Sequence, residues 1–151
     1  MTNRRVAIGM LLASLIALSG CASTSPATGS DPRSRYLAAS CPPAYPVGTA
    51  YDAQRSGVSP EVLRNDFTAA RKALVISARR LHATTWPASI AGDVAIVEAD
   101  NLAQAAWFDR AVRSPSIGTD WWSTPPEVEL STNRIRNALH IDSATACELD
   151  G

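Results

Sequence analysis

SPEVLRNDFTAARKALVISARRLHATTWPASIAGDVAIVEADNLAQAAWFDRAVR, residues 59–113, is the stretch whose reading decides the fold. It opens on Ser59-Pro60-Glu61: a hydroxyl that can cap free amides, a proline suited to the first helical position, and a carboxylate where the amide dipoles favour one. Leu63, Phe67, Ala70, Leu74, Ser77/Ala78 and Leu81 then recur at steps of three and four, which predicts a helix from Ser59 to near Ala83 with one face in a core. Thr84-Thr85-Trp86-Pro87 interrupts the pattern, with Pro87 expected in the first turn of the next helix. A second stripe follows through Ile90, Val94, Val97, Asn101, Ala105, Phe108 and Val112, and stops near Arg113 before Ser114-Pro115 and Gly118. Each helix has about 26 residues and spans near 40 Å at ~1.5 Å per residue. Equal length and a short link predict an antiparallel hairpin.

Two helices cannot enclose a core, so further elements are expected on either side. Downstream, Pro125-Pro126-Glu127 repeats the start signal, and Val128, Thr132, Ile135 and Leu139 continue at helical spacing. Upstream, Arg33 to Cys41 suits a short helix carrying Tyr36 and Leu37, stopped by Pro42-Pro43. Ala44 to Gly57, punctuated by Pro46, Gly48 and Gly57, is expected to be irregular. Asp93 to Val97 is rich in β-branched residues but lies inside the helical stripe, so no strand is expected. The fold class is therefore all-α: a small helical bundle built on the long hairpin plus a shorter C-terminal helix.

Within the hairpin, a turn near residue 85 pairs residue numbers that sum to about 170, which predicts Glu98 beside Arg71. Asn101 falls within the apolar stripe, either as a satisfied core amide or as part of a ligand pocket. Ile96, Ala99, Ala103 and Trp107 form a second apolar face on the same helix, to be covered within the domain by Trp121-Trp122, Tyr36 and Leu37, or offered to a partner. Trp121 and Trp122, in a Gly-Thr-Asp loop, have the contact area to stack on a glycan or peptide. Trp121, Trp122, Asn101 and Trp107 are thus the candidate binding residues.

Catalytic signatures are missing from the sequence: no Gly-x-Ser-x-Gly, Ser-x-x-Lys, His-Glu-x-x-His, P-loop or Gly-x-Gly-x-x-Gly occurs. His82 and His140 fall at helix ends, where imidazole complements the terminal carbonyls. Arg64, Arg71, Lys72, Arg79 and Arg80 on the first long helix face Asp93, Glu98, Asp100 and Asp109 on the second, as solvated flanks of a hairpin. No enzymatic activity, cofactor, metal or catalytic residue is expected.

At the amino terminus, Arg4-Arg5 and the apolar run Val6 to Leu18 read as an export signal, too short to span a bilayer, which needs ~20 apolar residues. The run ends in Leu18-Ser19-Gly20-Cys21, which resembles the lipobox of bacterial lipoproteins. The resemblance implies removal of residues 1–20, a diacylglyceryl thioether on Cys21 with palmitate among its acyl chains, and a membrane partner reached through that anchor. A diacylglyceryl group supplies the two chains that stable attachment requires. Twin arginines alone also fit a twin-arginine signal, but the flanking residues favour the general secretory route. The mature chain is similar to small Ala- and Arg-rich helical lipoproteins of GC-rich Gram-positive bacteria, in Tyr36-Leu37-Ala38-Ala39-x-Cys41-Pro42, in Trp86-Pro87, and in Arg134-Ile135-Arg136 leading into Leu139. That likeness implies an envelope address, extracytoplasmic and membrane-attached, rather than a particular chemistry.

Three consequences follow from that address. Residues 21–32, Ser-, Thr-, Pro- and Gly-rich, become a lipidated flexible tether reaching roughly 20 Å from the membrane, and residues 33–151 the folded domain. The whole sequence has 14 basic and 14 acidic side chains; losing Arg4 and Arg5 leaves 12 against 14, a net charge near −2. No nucleic-acid partner is expected from that balance, and an envelope protein is the expected partner. With Cys21 lipidated, Cys41 and Cys147 remain as a pair in an oxidising compartment and are expected to form a disulfide. A metal site with His82 or His140 is the competing reading, unsupported by ligand spacing.

Overall fold

A computed structural model describes residues 31–114, 122–142 and 147. Among them are five helices and no strand: α1 (Pro32–Ser40), α2 (Ala44–Arg55), α3 (Pro60–Ala83), α4 (Ala88–Arg113) and α5 (Pro126–Ala138). The start signals act as their chemistry suggests. Ser59 Oγ accepts a hydrogen bond from the Val62 amide at 3.4 Å, with Pro60 at the first helical position. Asp31 caps α1 by accepting from the Arg33 and Ser34 amides at 2.9 and 3.2 Å. Pro87 stands just outside α4 at its cap position, not in its first turn. No described helix is long and apolar enough to cross a membrane.

The segment expected to be irregular is helical. Pro46 is the third residue of α2, where a backbone N–H has no intrahelical acceptor and its loss is free. Gly48 meets nothing within 4 Å and costs only propensity. Ala50 and Ala53 are buried against the neighbouring α3, and that packing outweighs the local breakers. The turn signal acts one step later: Gly57 has φ +64° and ends α2 in the left-handed conformation that glycine adopts readily.

Two apolar clusters form the interior. At one end, Leu81 of α3 meets Ile90, Val94 and Val97 of α4, Tyr36 and Ala39 of α1, and Ile135 of α5. At the other, Leu63, Phe67 and Leu74 of α3 meet Ala105, Phe108 and Ala111 of α4, closed by Ala50 and Ala53 of α2. The predicted stripes are buried for most of their length, except that Ala111 replaces Val112 at the end of α4 and Ser131 replaces Thr132 in α5. Contacts between α3 and α4 run in opposite numerical order: Arg71 Nε lies 3.0 Å from Asp109, Asn101 Nδ2 donates to Ser77 Oγ at 3.0 Å, and His82 Nδ1 lies 3.1 Å from Glu98.

This register corrects the expected pairing of Glu98 with Arg71. Every partner on α4 is displaced by eight to ten residues from the expectation, more than two helical turns. The cause is the link. Thr84 is extended, Trp86 folds back so that its Nε1 donates to the Leu81 carbonyl at 2.8 Å, and the first turns of α4 extend beyond the end of α3. The overhanging residues Ile90, Val94 and Val97 are the ones that α1 and α5 enclose.

The Cys41–Cys147 disulfide is present, with a Cα separation of 5.2 Å across 106 residues of sequence. It fastens the end of α1 to the chain beyond α5. Before reaching Cys147, the chain leaves α5 through a tight reversal: the Ile141 amide donates to the Arg136 carbonyl at 2.9 Å, the His140 amide to Asn137 at 3.3 Å, and His140 has φ +52°. Ile141 then drops into the first cluster beside Ile135. This is the left-handed helix ending with histidine where glycine is usual.

Candidate functional site

On α4, Ile96, Ala99 and Ala103 share a side turned away from the stripe that meets α3. The two alanines leave a hollow, and the approach to α5 builds its far wall with Trp122, Pro125, Glu127 and Val128. The resulting groove is about 340 Å3 and mostly apolar. Asp100 stands at its edge, one residue after Ala99.

Asp100 is the unusual group here. Burial pushes its pKa up, and the nearby Glu127 charge adds to the shift, while the Trp122 indole N–H facing the carboxyl opposes it. That approach does not reach hydrogen-bond geometry: Asp100 Oδ1 and Trp122 Nε1 are both shielded from solvent and neither has a partner. The groove thus combines mostly apolar walls with a shielded carboxyl oxygen and a shielded indole N–H that have no hydrogen-bond partner. Among the described residues no three His, Cys, Asp or Glu side chains are placed to hold a metal ion.

The candidate residues separate. Trp122 is half-buried and lines the groove. Asn101, about 100° further round α4, faces α3 and is satisfied by Ser77, so it does not reach the groove. Trp107 packs edge-on against Phe108 at 5.1 Å and Phe67 at 6.0 Å, within the second cluster. Tyr36 and Leu37, expected to cover the second face of α4, belong to the first cluster. Cys41 and Cys147 are joined. Trp121 and Cys21 lie outside the described residues.

Asp100, expected on a solvated flank, is half-buried and lines the groove together with Trp122. The signal for it is an acid set among Ile96, Ala99 and Ala103, on the second apolar face of the helix. Asp109 is half-exposed and pairs with Arg71 and Arg113, whereas Asp93, its side chain only 13% exposed, pairs with Arg134 of α5. His82, placed in the last turn of α3, reaches Glu98 across the interface. No family model matches the sequence, and neither the curated proteins nor the solved structures contain a significant match.

Proposed function

We propose that this chain is a lipid-anchored extracytoplasmic lipoprotein whose helical domain is a non-enzymatic interaction module of the cell envelope. In this reading residues 1–20 are removed, Cys21 carries the lipid, and α3 and α4 form an antiparallel hairpin that holds the remaining helices. The opposite numerical order of the contacts of Arg71, Ser77 and His82 supports the hairpin. The observation that carries the interaction role is the groove between α4 and Trp122–Val128, an open, mostly apolar hollow lined by Trp122 and Asp100.

A photo-reactive residue introduced at Ala103 in intact cells tests this. The reading expects an adduct of one discrete mass from position 103, absent when the same probe replaces the exposed Thr68 on α3. Equal labelling from both positions contradicts it. The second reading, a small-molecule or glycan binding module, is favoured by the Trp122 side chain that lines the groove. It predicts quenching of Trp122 fluorescence by a soluble ligand without any protein adduct at Ala103.

A further inference from the structure

Away from that groove, α1 and the end of α3 bring two guanidinium groups to the rim of a second hollow. Arg35, Ala38 and Ala39 of α1 line it together with Arg80 and Thr84, and it encloses about 240 Å3. Each arginine is held by the other element's backbone. Arg35 Nη1 donates to the Thr85 carbonyl at 3.3 Å, and Arg80 Nη1 donates to the Ala38 carbonyl at 3.0 Å. The Arg35 guanidinium also rests against the Trp86 ring, 6.0 Å from its centroid. Thr84 Oγ1 donates to the Arg80 carbonyl at 2.8 Å, which fixes the third polar wall.

Part of this arrangement serves the fold. Ala38 lies in the last turn of α1, so the bond from Arg80 satisfies a carbonyl that has no partner in its own helix. That accounts for one N–H of each arginine and leaves the rest. Arg35 Nε is shielded from solvent and has no acceptor. Among the described residues no carboxylate pairs with either guanidinium, although arginines elsewhere in the domain find Asp93 and Asp109. Two like charges at one hollow, one with a shielded donor unused, make a surface suited to an oxyanion. Nε with its neighbouring amino group is the edge of arginine that binds oxyanions through two parallel hydrogen bonds.

We propose that the Arg35–Arg80 hollow binds a phosphoryl group, carried either by the headgroup of an anionic phospholipid or by a soluble phosphate. A tetrahedral oxyanion presents enough oxygens to accept from the remaining N–H groups of Arg35 and of Arg80 together. Two cations at one hollow select for negative charge at that point. The site is independent of the groove under Trp122 and of the lipid anchor.

The test is titration of the full chain, in a zwitterionic detergent, with inorganic phosphate while following the arginine Nε–Hε resonances by NMR. Saturable movement of the Arg35 resonance is expected, unmatched by sodium chloride at equal ionic strength, with affinity falling about tenfold in Arg80→Gln. Should Arg80→Gln lose its helical circular dichroism, Arg35→Lys keeps the charge without the fork, and the Arg80 resonance becomes the reporter. Dihexanoyl phosphatidylglycerol binding more tightly than inorganic phosphate assigns the site to a lipid headgroup, and the reverse order assigns it to a soluble phosphate. No saturable shift at Arg35, or an unchanged affinity in the folded variant, overturns the proposal.

Discussion

Asn101 Nδ2 donates to Ser77 Oγ at 3.0 Å across the α3–α4 contact, and Ser77 is wholly buried. Each side chain is the other's answer to an interior that offers little else polar. Removing one partner strands the other, and a stranded buried group costs about 1–3 kcal/mol. Asn101→Ala is expected to lower unfolding free energy by roughly 1–2 kcal/mol, and a double-mutant cycle with Ser77→Ala to give a coupling of about 0.5–1.5 kcal/mol. Urea unfolding measures both. Additive losses from the two substitutions would show that the bond contributes nothing of its own.

His140 at φ +52° occupies a position that favours glycine. A side chain there costs about 1 kcal/mol, partly offset by the greater freedom glycine has when unfolded. His140→Gly is expected to raise stability by roughly 0.5 kcal/mol, and Gly57→Ala, at φ +64°, to lower it by about 1 kcal/mol. Thermal unfolding of the two variants should move in opposite directions.

A carboxyl whose pKa is higher in the folded chain than in the unfolded one binds protons more tightly when folded. Its contribution to stability is therefore greatest at low pH and is lost as pH rises through the raised value. Asp100 is such a group, through burial first and Glu127 second. Asp100→Asn is expected to be more stable than the parent at pH 7, with the difference shrinking as pH falls toward about 4. Asp93, hydrogen-bonded to Arg134, has a lowered pKa and acts in the opposite sense, so its contribution fades as acid protonates it. Urea midpoints of parent and Asp100→Asn across this range give the answer, and a gap that does not change with pH would rule out the account of Asp100.

Opening the Cys41–Cys147 bond releases a constraint on 106 residues of chain. The loop-entropy argument gives about 4–5 kcal/mol for such a span. Cys147→Ser is expected to lose a large part of that, read as a drop in denaturant midpoint with unchanged helical content below it. A loss under about 1 kcal/mol would mean that the unfolded chain keeps the two ends together without the bond.

Much of the fold was legible because α3 and α4 carry strong periodic stripes and punctuation, and Leu63 through Phe108 lie on the faces they predict. The helix α2 was not legible: Pro46 and Gly48 look like breakers until the first-turn position of one and the open surroundings of the other are known. The register of α3 against α4 was missed for a different reason. Link length sets how close two helix ends are but not how far one overhangs the other, and the overhang is fixed by Trp86 and by what α1 and α5 enclose. At the candidate site Trp122 was found through its composition signal. Asp100 is not legible in the sequence, because one acid among several on α4 looks like its neighbours until α5 and Trp122 are placed beside it.

Intact-mass analysis of the protein made by its own cells tests the central claim most directly. The account predicts a chain starting at Cys21, heavier than its sequence by a diacylglyceryl group, with Cys41 and Cys147 resistant to alkylation until reduced. A product that retains residues 1–20, carries an unmodified thiol at Cys21, or alkylates at Cys41 and Cys147 without reduction would contradict it.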